Sequence, residues 1–371
     1  MQVISTTKEI EQRYLDSIFV ISHSNNTIKT YKMCINKLRN YLKDNYQCDE
    51  IQLVTKVKNN EIDVYELLRE YVIYLDKIGI KPSTTRLHIS VIKGYFRYLG
   101  IRVNSDDCKF IVKIPKQIKT REIPLTREMI LRVLHNSNPK LQTAILVAVS
   151  TGIRIGELVE LRIQDVDFSC KPTKVYIRAE ITKTRQYRET FLTEEATLAL
   201  KDYLKRFFGW KEDSSNEHLN EKHIFGPIIK PKKSGKFCAF SAQYTLQMAL
   251  HSLIKTIPEL SINNENGRKA IHFHAFRKFF RTTVGNVCGR DYAEALMGHG
   301  FYMDTYYQLS EEKQRQMYLD AEPHLTISDF KTVEKNMKTL STKYQNLEEK
   351  VNDLMQYLRT NSIKVPTNLI S

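Results

Sequence analysis

Two separated stretches of the chain carry residue types suited to chemistry on a phosphate ester. The first, Thr151-Gly-Ile-Arg-Ile-Gly-Glu-Leu158, supplies Arg154. The second runs from His272 to Tyr307 and holds His274, Arg277, His299 and the adjacent pair Tyr306 and Tyr307. A phosphodiester carries one negative charge, and more develops on its oxygens toward a pentacoordinate transition state. Two guanidinium groups can hold the non-bridging oxygens bidentately, with planar forks that lysine lacks. Arg154 and Arg277 are the candidates. Tyr307 or Tyr306 offers a phenol as the nucleophile. A free phenol titrates near ~10, so neighbouring cations must favour the phenolate. The leaving sugar oxygen needs a proton, for which Lys183 and His274 are the candidate donors. His299 could bond the phosphate or help to position the nucleophile. No acidic cluster suited to a two-metal nuclease accompanies these residues, so the expected chemistry uses neither a metal nor a cofactor. Each residue alone has a blander reading: a surface arginine, a structural histidine, a hairpin lysine, a core tyrosine. Their order and context carry the signal.

Stepping outward, residues 1–112 read as a small helical bundle. Ser24-Asn25-Asn26-Thr27 offers N-cap side chains, and Ile28, Tyr31, Ile35, Leu38 and Leu42 line one helical face. A second stripe holds Val64, Leu67, Leu68, Tyr71, Val72 and Leu75. After Pro82, Ser83 is expected to cap a third helix with Leu87, Val91, Tyr95 and Leu99, stopped by Gly100. These stripes are core, not a cofactor box. Residues 113–124 break the pattern with two prolines and the cations Lys113, Lys116, Lys119 and Arg121. They read as an extended linker, either a solvated charge run or a basic strap on a polyanion. From Leu125 helices resume, with Thr126 as a cap, a helix over 141–150 ending at Gly152, and another over 155–161. Val175, Ile177 and Ala179 then alternate with polar residues, predicting a strand. A turn around 183–187 and a return strand over 189–192 complete a hairpin. Further helices are expected over 241–254 and from Phe273.

From Phe330 to Leu358 the apolar residues Phe330, Val333, Met337, Leu340, Tyr344, Leu347, Val351, Leu354 and Leu358 keep a 3,4 spacing without a slip. That is a coiled-coil seam and predicts self-association through residues 328–360. Residues 361–371 read as a frayed tail. The 57 Lys and Arg against 42 Asp and Glu leave a net charge of +15, which favours a polyanionic partner, nucleic acid before an acidic membrane surface. Six scattered cysteines form no metal or disulfide spacing and fit a reducing compartment. No apolar run reaches the ~18 residues of a membrane span, and the polar N-terminus is unlike a signal peptide. The expectation is a cytoplasmic protein associated with the nucleoid of its host cell, with no membrane partner.

The set T-G-I-R-I-G-E-L, I-T-K-T in a hairpin, H-A-F-R, L-M-G-H and a following tyrosine resembles the tyrosine recombinase family of the phage-integrase type. The resemblance runs from about Leu125 to Leu325. The N-terminal bundle is similar to the family's core-binding domain, with Asn26-Thr27-Ile28 and Lys81-Pro82-Ser83-Thr84 in matching places. The tail from Ala321 to Ile327 and the L-M-G-H-G variant resemble integrases of archaeal viruses and plasmids. The resemblance implies a mainly α fold with a small antiparallel β-hairpin or sheet: core-binding domain (1–112), basic linker (113–124), catalytic domain (125–327) and coiled-coil helix. It implies that Arg154 and Arg277 clamp the phosphate, Lys183 protonates the 5′-oxygen, His274 acts as general acid or base, and His299 bonds the phosphate. Glu157 would be a supporting carboxylate. The family commonly sets its tyrosine nine residues after the L-G-H histidine, and here Tyr306 and Tyr307 follow by seven and eight. Tyr307 is the choice and Tyr306 the alternative.

The implied activity is site-specific cutting and rejoining of double-stranded DNA through a 3′-phosphotyrosine, by a homotetramer on two duplexes, without a metal. Integration and excision of a mobile element is the first expectation; chromosome or plasmid dimer resolution is the second. Phosphate contacts would make binding fall steeply with salt. Two rivals differ in testable ways. A type IB topoisomerase would relax DNA as a monomer, and an architectural DNA-binding protein would form no covalent adduct.

Overall fold

In a computed structural model, the structure describes residues 7–118, 120–212, 216–226, 237–298 and 309–328. Helices dominate, with one small antiparallel sheet, and the chain divides into two compact units, Met1–Lys119 and Thr120–Ser371.

The first unit holds six helices among its described residues: α1 (Thr7–Ser22), α2 (Asn25–Tyr46), α3 (Glu50–Lys58), α4 (Val64–Lys77), α5 (Pro82–Tyr98) and α6 (Ser105–Ile111). Ser24 caps α2 by accepting from the Thr27 amide, as its residue type predicts. Asp49 and Gln52 form a reciprocal capping box on α3. Leu38, Leu42, Leu67, Leu68, Tyr71, Leu75, Ile92 and Phe96 close into one core. Arg39 ties three helices by reaching Glu11 at 2.6 Å and the fully buried Glu50 at 2.7 Å. Helix α5, the third of the expected helices, differs from expectation at its start and in one residue of its face. Pro82 takes its first position, where a missing N–H costs nothing, and Ser83 lies inside without capping. Val91 and Tyr95 are buried as expected, but Leu87 is exposed, because the rest of the buried face runs through Thr85, His88, Ile89, Ile92 and Phe96.

The second unit carries α7 (Arg127–His135), α8 (Pro139–Thr151), α9 (Ile155–Glu160), β1 (Val166–Asp167), β2 (Lys174–Ile177), β3 (Arg188–Phe191), α10 (Glu194–Phe208), α11 (Ala239–Thr256), α12 (Phe273–Cys288), α13 (Arg290–Met297) and α14 (Glu311–Leu325). Helix α8 is buried on every side from Thr143 to Thr151, which its apolar composition permits. The sheet order is β1-β2-β3, all antiparallel, with Val175 opposite Thr190 and Ile177 opposite Arg188. The first hairpin strand stops at Ile177, and Ala179–Ile181 turns into a single 3-10 turn. Strand β1 was not expected, since two residues carry no period. The coiled-coil seam (328–360) and the tail (361–371) lie outside the described residues apart from Ser328.

Candidate active site

The site grows from the end of α8. Gly152 closes this helix in the left-handed conformation at φ +61°, and a Cβ there would stand 2.3 Å from the Phe280 ring. Backbone and packing therefore both demand glycine. The last carbonyls of a helix lack intrahelical donors. Here three other elements supply them. Ser150 O accepts from the Tyr318 hydroxyl of α14 at 2.8 Å, Thr151 O from the Thr190 hydroxyl of β3 at 3.3 Å, and Gly152 O from the Arg277 guanidinium of α12. The T-G-I-R turn is thus where the second unit converges.

Two residues on, Arg154 stands at the N-cap of α9, half-buried. Its Nη1 donates to Glu157 Oε1 at 2.8 Å, and its backbone N–H donates to Glu157 Oε2 at 3.0 Å. Glu157 is 2% exposed and takes a second guanidinium, Arg188, whose Nη2 lies 2.5 Å from Oε2. Burial alone would raise this carboxyl. The hydrogen bonds and charges of Arg188, then of Arg154, outweigh it and hold the group below its usual range.

Arg277 is 1% exposed on α12. Besides Gly152 O it donates through Nη2 to Met297 O at 2.8 Å, at the end of α13. A buried guanidinium thus meets the C-terminal ends of two helices, where the backbone dipoles point negative and offset part of its desolvation. Burial first, and the nearby Arg154 charge next, push it down to about 9, so it is cationic at neutral pH. Three guanidinium groups, Arg154, Arg188 and Arg277, gather around the Glu157 carboxylate, and Glu294 also acts on Arg277.

His274 is exposed on the first turn of α12, its ring 6.4 Å from that of His272. Partial desolvation, then Lys278, His272 and Arg277, lower it from the ordinary imidazole value and favour its neutral form. Lys278 pairs with Glu122. Lys183 is exposed in the turn between β2 and β3, which Thr182 closes by bonding Gln186. Of the basic stretch, Lys113, Lys116 and Arg121 are exposed. The Arg121 amide donates to Glu265 and the Ile123 amide to the buried Asn264, each at 2.8 Å. His299, Tyr306, Tyr307 and Lys119 lie outside the described residues. Among the described residues no trio of His, Cys, Asp or Glu is grouped to hold a metal ion, and no helix is long and apolar enough to cross a membrane.

Arg188 is the site residue that sequence reading misses. Alternation in the sequence starts the return strand at Glu189, one residue after its true start. The signal was present: Arg188 alternates with Thr190 on one face of β3, and both are buried.

The described geometry can be set beside known proteins. Residues 124–301 match the Phage integrase family, and residues 12–102 match the Phage integrase, N-terminal SAM-like domain. A tyrosine recombinase XerC of Staphylococcus epidermidis is 22% identical over 310 residues, 80% of this chain and 91% of that protein. A tyrosine recombinase XerA of Saccharolobus solfataricus is 21% identical over 202 residues, 53% of this chain and 64% of the relative, just under two thirds of its length. Among solved structures, a lambda integrase dimer bound to a COC′ core site superposes with a TM-score of 0.55 at 17% identity, over 83% of this chain and 100% of that one. The Tn1549 transposon integrase in complex with transposon right end DNA gives 0.56 at 17% identity, over 83% and 97%. These structural likenesses are of fold.

Proposed function

The chain belongs to the phage integrase family, and from that premise we propose that it is a site-specific DNA recombinase working through a 3′-phosphotyrosine. The observation that carries this reading is the meeting of Arg154, Glu157 and Arg277 at the ends of α8 and α13. Arg154 and Arg277 hold the non-bridging oxygens. Tyr307 attacks phosphorus, its proton passing to the neutral His274, and the bond to the 5′-oxygen breaks with a proton from Lys183. His299 bonds the phosphate. A 5′-hydroxyl of a partner strand then attacks the phosphotyrosine and releases the phenol. One phosphodiester is exchanged for another, so the cycle needs no ATP, and no step calls for a metal.

Four copies would act on two duplexes, as in the lambda integrase tetramer bound to a Holliday junction. The 328–360 seam adds self-association, and Lys113, Lys116, Lys119 and Arg121 would lie along the DNA backbone. The place of action is the host's DNA in the cytoplasm. Integration and excision of a mobile element is the first reading. Chromosome or plasmid dimer resolution is the second reading.

The test is a nicked suicide duplex selected from random sequence by wild-type binding, incubated in EDTA with wild type, Tyr307→Phe and Tyr306→Phe. A denaturant-resistant adduct lost with Tyr307→Phe is expected. Loss only with Tyr306→Phe moves the nucleophile by one residue, and no wild-type adduct on a bound duplex leaves a DNA-binding protein without strand transfer.

A further inference from the structure

We propose that Arg188 is a positioning residue for strand cleavage, holding Glu157 so that Arg154 stays free for the phosphate; this rests on the recombinase reading above. Its guanidinium is 8% exposed and works in two directions. Nη2 and Nη1 reach Glu157 at 2.5 and 3.4 Å, while Nε donates to Leu296 O at 3.1 Å. The next carbonyl along α13, Met297 O, is the one that Arg277 holds. Arg188 therefore links the helix that carries Arg154 to the helix end that fixes Arg277. Gly298 follows directly, at φ +65°, and a Cβ there would lie 2.7 Å from Arg188 Cδ. The glycine of L-M-G-H is thus needed by Arg188 as well as by its own backbone.

With Arg154 alone, Glu157 would direct both oxygens to the guanidinium meant for substrate and cancel its charge. Oε2 takes Arg188 Nη2 and the Arg154 backbone N–H, and Arg188 Nη1 also reaches Oε1, so Glu157 meets only Nη1 of the Arg154 side chain. Among the described residues, Arg154 Nε and Nη2 carry no hydrogen bond, which leaves that edge for non-bridging oxygens.

The test compares wild type, Arg188→Met, Arg188→Lys, Glu157→Gln and the double variant Arg188→Met/Glu157→Gln. Single-turnover adduct formation and Kd are measured on the same selected nicked duplex. Arg188→Met is expected to slow adduct formation about 100-fold, the scale of a small misplacement at a reacting centre, with Kd close to wild type. Adding Glu157→Gln removes the uncompensated carboxylate and should recover about tenfold, although Glu157→Gln alone slows the wild type. A merely structural ion pair predicts no such charge-dependent recovery. Wild-type rates in Arg188→Met, or no recovery in the double variant at unchanged Kd, overturn the inference while the wild-type adduct keeps the recombinase reading intact. If Arg188→Met does not fold, Arg188→Lys, which keeps a cation beside Glu157, and the double variant, which removes both charges, decide: adduct in Arg188→Lys no faster than in the double variant overturns it. No wild-type adduct defeats the parent reading and this one with it.

Discussion

At the scale of single residues, the site is a problem in burying charge. Arg277 and Glu157 are almost completely enclosed, and each bonds partners within the fold. For Glu157 the consequence reaches stability. Its carboxyl titrates lower in the folded chain than the usual 4.5. A depressed carboxyl contributes stability above the unfolded value and loses it as pH falls through the folded one. The wild type should therefore be more stable than Glu157→Gln at pH 7, and the gap in thermal midpoint should close as pH is taken down through the carboxylate range. A gap that stays constant down to pH 3 would mean that Glu157 holds its place by shape, not charge.

At the scale of elements, what matters is how helices end. Helix α8 stops at Gly152 and α13 at Gly298, both left-handed and both with no room for a Cβ. Their exposed carbonyls become the acceptors that seat Arg277 and Arg188. Gly152→Ala should cost at least about 2 kcal/mol, from the left-handed backbone and the overpacking against Phe280. Chemical denaturation of the second unit would show it as a lowered midpoint, and an unchanged midpoint would mean that Phe280 moves aside freely. The hairpin makes the complementary point. Its two main strands were legible from alternation, but the return strand begins one residue earlier than its clearest pattern, and that residue is Arg188.

At the scale of the whole molecule, the net charge of +15 suits a polyanionic partner, and the two units match the two parts of one family. The unbroken 3,4 seam from Phe330 to Leu358 is proposed as a self-association helix. A chain ending at Ser328, which retains the amide and hydroxyl bonds to Glu195, should have a smaller mass in solution than the full chain by light scattering at equal concentration. Equal masses would remove the seam from the assembly.

The sequence alone determined the helical character, the strand period, the glycine stops and the identity of the motif residues. These are local matters, set by side-chain period, capping chemistry and backbone freedom within a few positions. Tertiary structure alone decided that Leu87 faces outward, that Glu157 takes a second arginine from a strand 31 residues away, and that Arg277 anchors one N–H of each Nη on two helix ends. Those outcomes depend on which elements meet and which buried polar groups must then be paired, and no local pattern encodes that.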